Sequence, residues 1–359
     1  MYTIVLVSLI AVLILISSNQ AKTKQNLLPG VIVLLSLFFG IRDHFGNDYA
    51  AYSHVFEEVN SRSDRYIFNS YLGDIEIGWI YLNKLFKPLG FEAMVMFLTF
   101  FQFGVIGWFI MKMVPRKYQW QALALYMFMP GFMVTQLSMM RQSVAMSFMM
   151  LALPFVVDKK FIKAAVLVSV GLLFHKSAFA AFLLFPLIYC VKVNYKWVLL
   201  VYVVILFICQ FFPQPIVDVV ELLSTYKQYG KYEYYMKESN MVVEMRSGLG
   251  FIFQLIMSIY IGYLLKFRST KFRYFILCML LGYAFTPITG TIGMAARILI
   301  YYQQAGILGF LPLFKRAKKD AFALVLTIVF MAYIASAIYI FFTSEVYVKR
   351  FFYYHTLLE

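Results

Sequence analysis

Residues 38–52 read FFGIRDHFGNDYAAY, in which Arg42, Asp43, His44 and Asp48 follow directly on an apolar run. Arginine stays charged at any physiological pH, and its planar fork grips a phosphate through two parallel hydrogen bonds. Three more arginines lie among or at the edge of apolar stretches: Arg141 in SMMRQSVAMS, Arg297 in GMAARILIYYQ, and Arg246 at the end of a polar segment. An ionisable group at membrane depth faces a bundle interior or a watery cavity with a partner, and so marks a functional site. Several guanidiniums at one level suit a lipid-linked phosphate or pyrophosphate. A second reading of Arg42 is a snorkelling anchor at a helix end.

Proton transfer needs a different side chain. His175, in LLFHKSAF, titrates near neutrality when unperturbed, and a base must sit within about 3 Å of the hydroxyl it serves. The segment LGDIEIGW adds Asp74 and Glu76. A carboxylate beside arginines is the weaker base, which ranks His175 ahead of Glu76 and Asp48; a purely structural His175 is the competing reading. Asp74 and Glu76 are acids of the kind that hold a hard cation or flank a sugar, but two carboxylates alone specify no metal site, and none is expected. Cys190, Cys209 and Cys278 lie in apolar runs without metal-ligand spacing, and no cofactor is expected. The stretch ELLSTYKQYGKYEYYMKESN interleaves Tyr226, Tyr229, Tyr232, Tyr234 and Tyr235 with charges. These tyrosines read either as an interfacial aromatic belt or as a platform for sugar rings, with Tyr232 and Tyr235 the candidates for stacking.

The elements that must position these groups follow from composition. The chain is 62% hydrophobic and 14% charged, against about 25% charged in a soluble domain. It therefore reads as an all-α polytopic integral membrane protein, a single transmembrane domain over residues 1–359. Runs of about 20 apolar residues cross ~30 Å of hydrocarbon. Such runs predict about twelve helices, near 2–17, 27–41, 91–112, 119–138, 139–157, 161–175, 176–191, 197–212, 248–266, 274–291, 293–314 and 321–342. Two polar segments, 42–90 and 213–247, are expected to contain amphipathic helices. In the first, Asn47 is the expected cap of a helix with Tyr52, Val55, Phe56 and Val59 on one side. Lys22 and Lys24 follow the first apolar run instead of preceding it, so that run reads as a retained helix and not a signal peptide.

Charge fixes the orientation. The turns near 22–24, 112–117, 159–163, 192–196, 266–273 and 315–319 hold 18 of the 32 lysines and arginines, with only Asp158 and Asp320 of the acids beside them. These are alternate turns, so the positive-inside rule puts them all in the cytoplasm. Both termini, both polar segments and all four histidines then fall outside. The net charge of +15 is accounted for by membrane insertion, and no nucleic-acid partner is expected.

The motifs RDHFGNDYAAY, EIGWIYLNKLF, MRQSVAMSFMMLAL, DKKFIKAAVLVSVGLLFHKSAF and RILIYYQ, taken in order, resemble EpsG-like proteins in the broader Wzy group of polysaccharide polymerases. The resemblance covers most of residues 38–185 and a patch near 297. It implies a multi-pass enzyme of the bacterial inner membrane with both termini periplasmic. Its partners would be membrane lipid and an undecaprenyl-pyrophosphate-linked oligosaccharide whose repeats it joins, with a chain-length regulator protein as a further partner the family allows. Carried over, it implicates Arg42, Asp48, Tyr49, Tyr52, Glu76, Arg141, Gln142, His175 and Arg297, with Tyr49, Tyr52 and Gln142 assigned to the sugar. Asn47 stands where a small hydroxyl residue is expected, and the second polar segment has no counterpart in the pattern. A flippase or transporter for the same lipid-linked glycan, and an O-antigen ligase or membrane acyltransferase, are the alternative functions.

The orientation is open to a direct test. Asn60→Cys and Tyr235→Cys should react with an impermeant thiol reagent in spheroplasts, while Lys160→Cys and Ala317→Cys should not. Labelling at 160 from outside would reverse the topology.

Overall fold

The computed structural model describes residues 2–20, 26–129, 131–212, 214–216, 218, 249–267, 269–290, 293–343, 348, 351 and 353–358. Arg246, Tyr232, Tyr235 and nearly all of the 213–247 segment lie outside the described residues. The chain forms two compact units, Met1–Phe182 with Thr327–Glu359, and Leu183–Leu326.

In chain order the first unit contains α1 (Tyr2–Gln20), α2 (Leu28–Gly40), β1 (Arg42–Asp43), α3 (Tyr49–Ser61), α4 (Asp64–Asn69), α5 (Ile77–Phe86), α6 (Phe91–Met113), α7 (Gln119–Phe128), α8 (Met133–Ser138), α9 (Met140–Val157) and α10 (Phe161–Leu172). The second holds α11 (Leu184–Leu187), α12 (Tyr195–Phe211), α13 (Leu249–Tyr263), α14 (Thr270–Ala284), α15 (Gly293–Gln303), α16 (Gly306–Gly309) and α17 (Leu311–Ala317), after which α18 (Ala321–Thr343) runs across the boundary. The only strand besides β1 among the described residues is β2 (His355–Thr356).

The all-α membrane class is what the composition predicts. Among the described residues four helices are long and apolar enough to cross a bilayer: Tyr2–Asn19, Phe91–Met113, Met140–Val157 and Ala321–Thr343. Shorter apolar helices span 28–40, 161–172, 195–211 and 255–266. Three expected helices are broken. Residues 119–138 split into α7 and α8 because Met129 precedes a proline and takes the extended ψ of 127° that such a position favours. Residues 176–191 form 3-10 turns around the single α-turn of α11, and 293–314 divides among α15, α16 and α17. The count of twelve spans is thus a reading of apolar runs, several of which do not fold as one straight helix.

In the first unit α6 packs between α2 and α9, and α9 in turn packs against α10. α3 behaves as its pattern predicts, burying Tyr49, Tyr52, Phe56 and Val59, but it begins after Asp48, which makes no side-chain cap bond, and not after Asn47. Its buried face lies on protein. Tyr49, Tyr52 and Phe56 join Trp79 and Phe86 of α5, Phe91, Met94, Val95 and Leu98 of α6, and Met140 and Val144 of α9 in one core cluster. Edge-to-face contact between Tyr49 and Phe91, with centroids 5.3 Å apart, is the favoured aromatic geometry.

The turn after α2 is held from two sides. β1 pairs antiparallel with β2, Arg42 opposite Thr356 and Asp43 opposite His355, and Tyr354 donates its hydroxyl to Phe38 O at 2.6 Å. Gly46 has φ +99°, and a Cβ there would lie 2.8 Å from the Ser138 side chain, so the approach of α8 needs glycine on both counts.

Arg42 fastens this end of the bundle. It is only 2% exposed. One terminal nitrogen donates to Phe39 O at 2.8 Å and Thr99 Oγ1 at 2.5 Å, the other to Leu137 O at 3.2 Å. Burial pulls the guanidinium down to about 10, which leaves it a cation at neutral pH. The anchor reading places the head in water and the phosphate reading places it on substrate; here it is spent on the ends of α2 and α8 and on the third turn of α6.

Lysine keeps the charge but has a single nitrogen to offer these three acceptors. Arg42→Lys should therefore weaken the solubilised protein by about 2–4 kcal/mol, read as a lower Tm in detergent. An unchanged Tm would show that the clamp is not structural.

Candidate functional site

Beside this clamp, a second cluster forms where α5, α9 and the turn after α10 meet, all within the first unit. Glu76 is the N-cap of α5, with extended backbone (φ −61°, ψ 138°), and its carbonyl accepts from Trp79 and Ile80 N–H. Its side chain makes no cap bond and is therefore directed elsewhere. Glu76 Oε2 accepts from Arg141 at 2.8 Å, and Oε1 accepts from the backbone N–H of Lys176 at 3.0 Å.

The turn that brings Lys176 there is docked by a second bond. Gly78 N–H donates to Leu173 O at 2.8 Å, and a Cβ on Gly78 would stand 2.6 Å from that oxygen. The glycine of EIGW thus exists for close approach, a signal visible in the sequence but not interpretable there without its neighbour.

Arg141 leaves part of its fork uncommitted. Its side chain is 29% exposed, against 9% for Glu76. Its Cζ lies 5.9 Å from the Tyr52 ring centroid, and the Tyr52 side chain is hydrogen-bonded to it. The Nε is buried without an acceptor. A cation held from one side and still 29% exposed is arranged to take an anion from the other. Burial raises the Tyr52 phenol, so it is a neutral hydrogen-bonding group at neutral pH.

His175 is half-buried in the same turn. Its Nδ1 lies 2.6 Å from Ser177 Oγ and accepts the Ser177 N–H at 3.3 Å. Asp48, also half-buried, sits one turn before Tyr52 and close enough to affect its phenol. Glu76, Arg141, Tyr52 and the His175 turn are therefore brought together, with Asp48 at their edge.

Other candidates are placed differently. Tyr49 is 3% exposed and donates its hydroxyl to Arg42 O at 3.4 Å, and Tyr52 packs its ring at a tilt of 55° against that of Trp79, centroids 5.2 Å apart. Both rings expected on sugar are thus built into the aromatic core. Gln142 is 2% exposed within α9. Arg297 lies in α15 of the second unit and is exposed there, where its apolar flanks predict a bundle interior or a watery cavity. The residues that sequence reasoning missed are Gly78, Leu173 and Ser177, and for Arg42 the acceptors Thr99 and Leu137; backbone atoms do much of this work, and they carry no signature in a sequence.

Small-to-large changes at a packed contact cost about 1–3 kcal/mol. Gly78→Ala should accordingly undock the turn, seen as faster amide exchange across 173–178 with exchange in α6 and α9 unchanged. Unaltered protection of the turn would show that the contact is dispensable.

A family model described as the EpsG family matches residues 26–356. No curated protein and no solved structure matches the chain. With the match covering nearly all of the chain, including every element of this cluster, the protein belongs to the EpsG family of EpsG-like polysaccharide polymerases.

Proposed function

We propose that the protein joins lipid-linked oligosaccharide repeats on the periplasmic face of a bacterial inner membrane, using undecaprenyl-pyrophosphate-linked glycan as donor. In this reaction the acceptor hydroxyl oxygen bonds to the anomeric carbon of the donor. The bond from that carbon to the pyrophosphate oxygen breaks, its electron pair leaves with undecaprenyl pyrophosphate, and the hydroxyl proton passes to a base. No nucleotide sugar is needed, because the glycosyl-pyrophosphate bond already stores the energy.

The observation that carries the reading is the one-sided hold of Glu76 on Arg141. A fixed, partly exposed guanidinium beside a histidine and a phenol suits charge that grows on a departing pyrophosphate, the kind of preorganised stabilisation that dominates many active sites. Glu76 then positions Arg141 and the turn, since both of its oxygens already accept hydrogen bonds. That leaves Asp48 as the carboxylate for the acceptor proton. Arg297 and Arg246 are further candidates for the pyrophosphate, and Tyr232 and Tyr235 for the sugar. Arg42 acts beneath the site as its fastening.

Lysine at 141 retains charge but loses the fork. In nanodiscs supplied with lipid-linked repeats, Arg141→Lys should cut polymer formation by about 100-fold at normal membrane abundance, with release of undecaprenyl pyrophosphate falling in parallel. A near-normal ladder from this variant would remove Arg141 from the site. Translocation of the lipid-linked glycan without any ladder or pyrophosphate release from the unmodified protein would favour a flippase.

A further inference from the structure

We infer that Ser177 fixes the tautomer of His175, so that this histidine meets the substrate as a hydrogen-bond donor at Nε2 and not as a base. A backbone N–H donates in every protonation state. Because the Ser177 N–H points at Nδ1 at 3.3 Å, that nitrogen must present its lone pair, and in the neutral ring the proton then sits on Nε2. The Ser177 hydroxyl, 2.6 Å from the same nitrogen, reinforces the choice by donating to it. A histidine arranged this way has no lone pair left at Nε2 with which to take a proton.

The geometry comes from two consecutive amides. In the turn after α10 the Lys176 N–H is directed at the Glu76 carboxylate and the next, that of Ser177, at the His175 ring. The Leu173 carbonyl, engaged by Gly78, holds the start of the turn. The same docking that presents Lys176 to Glu76 thus orients the imidazole. Glu76 also holds Arg141, so the guanidinium and the imidazole Nε2–H are two donors supported by one carboxylate. Two such donors fit one anionic oxygen cluster, the chemistry of a phosphate or pyrophosphate, better than they fit a neutral hydroxyl that must be deprotonated. Ser177 is a positioning residue in this scheme.

The inference deepens the glycosyl-transfer reading, and only the identity of the anion rests on that reading. Its test therefore has one arm that needs no turnover. With histidine labelled in nitrogen-15 and the protein in nanodiscs, the His175 signals, assigned by their loss in His175→Gln, should show an unprotonated Nδ1 and a protonated Nε2. Ser177→Ala keeps the backbone N–H and loses only the hydroxyl, so the Nε2-protonated form should remain the major one with a small admixture of the other, and Ser177→Thr should restore the single form. A wild-type spectrum with the proton on Nδ1 would overturn the inference.

The second arm uses polymer formation. A glutamine amide can place an N–H where Nε2 lies but cannot act as a base, so His175→Gln should stay within about 10-fold of wild type while His175→Ala falls about 100-fold. Ser177→Ala should lose several-fold and Ser177→Thr recover it. Equal loss in His175→Gln and His175→Ala, at equal membrane abundance, would overturn the donor role. If the unmodified protein makes no polymer but shows the stated tautomer, the functional reading fails and the tautomer assignment stands.

Discussion

A carboxylate with only 9% of its side chain exposed must find donors for its oxygens, because burying a charge without partners is among the largest penalties a fold can carry. Glu76 meets that demand with one side-chain donor from α9 and one backbone donor from the turn after α10. Neither donor is close to it in sequence, at separations of 65 and 100 residues. The carboxylate thus decides which parts of the chain are neighbours at this end of the bundle. Glutamine would not replace it: an amide has one acceptor and one donor end, so it could satisfy either Arg141 or Lys176 N–H and would oppose the other.

The frame around this pair is apolar and aromatic. Tyr52, Trp79 and Phe91 pack α3 and α5 onto α6 and α9, and that packing excludes water from one side of the ion pair. The lower layer is polar again. Thr99, whose hydroxyl accepts from Arg42, donates its own proton to Val95 O at 2.8 Å, and three residues on, Gln102 donates to Gln136 at 2.7 Å and to Tyr126 at 3.1 Å. Side chains that bond across helices in this way hold a bundle together where hydrophobic burial between helices gains little over lipid. α6 is the common member, which explains how so apolar a helix can be located uniquely among its neighbours.

Much of this was legible in the sequence, and the limits have physical causes. The membrane class followed from composition, and the buried face of α3 from the spacing of Tyr52, Phe56 and Val59. Arg141, Glu76 and His175 stood out as charged or titratable groups in apolar surroundings, and they do lie together. The job of each was harder to read. Arg42 and Arg141 have equivalent settings in sequence, an arginine at the end of an apolar run, yet one donates to a carbonyl of α2, a threonine of α6 and a carbonyl of α8 while the other meets a carboxylate. That difference depends on which acceptors arrive from elsewhere in the chain. The break in 119–138 was signalled by the proline after Met129 but passed over, and that in 176–191 was missed as well, since hydropathy records how apolar a run is and not whether it is one helix.

The two arginines also show why local charge alone does not define an anion site. Arg42 has no carboxylate among its hydrogen-bond acceptors, so its positive charge is unbalanced, but it is 2% exposed and enclosed. Arg141 is balanced by Glu76, and a neutral pair attracts an anion weakly at long range. What it offers is short-range: a guanidinium already desolvated on one side and 29% exposed on the other, held by the same carboxylate that accepts the Lys176 N–H. Under the proposed reaction this is the better arrangement, because the strength of the interaction is greatest when negative charge localises on the leaving oxygen and smaller while that charge is still shared with the sugar.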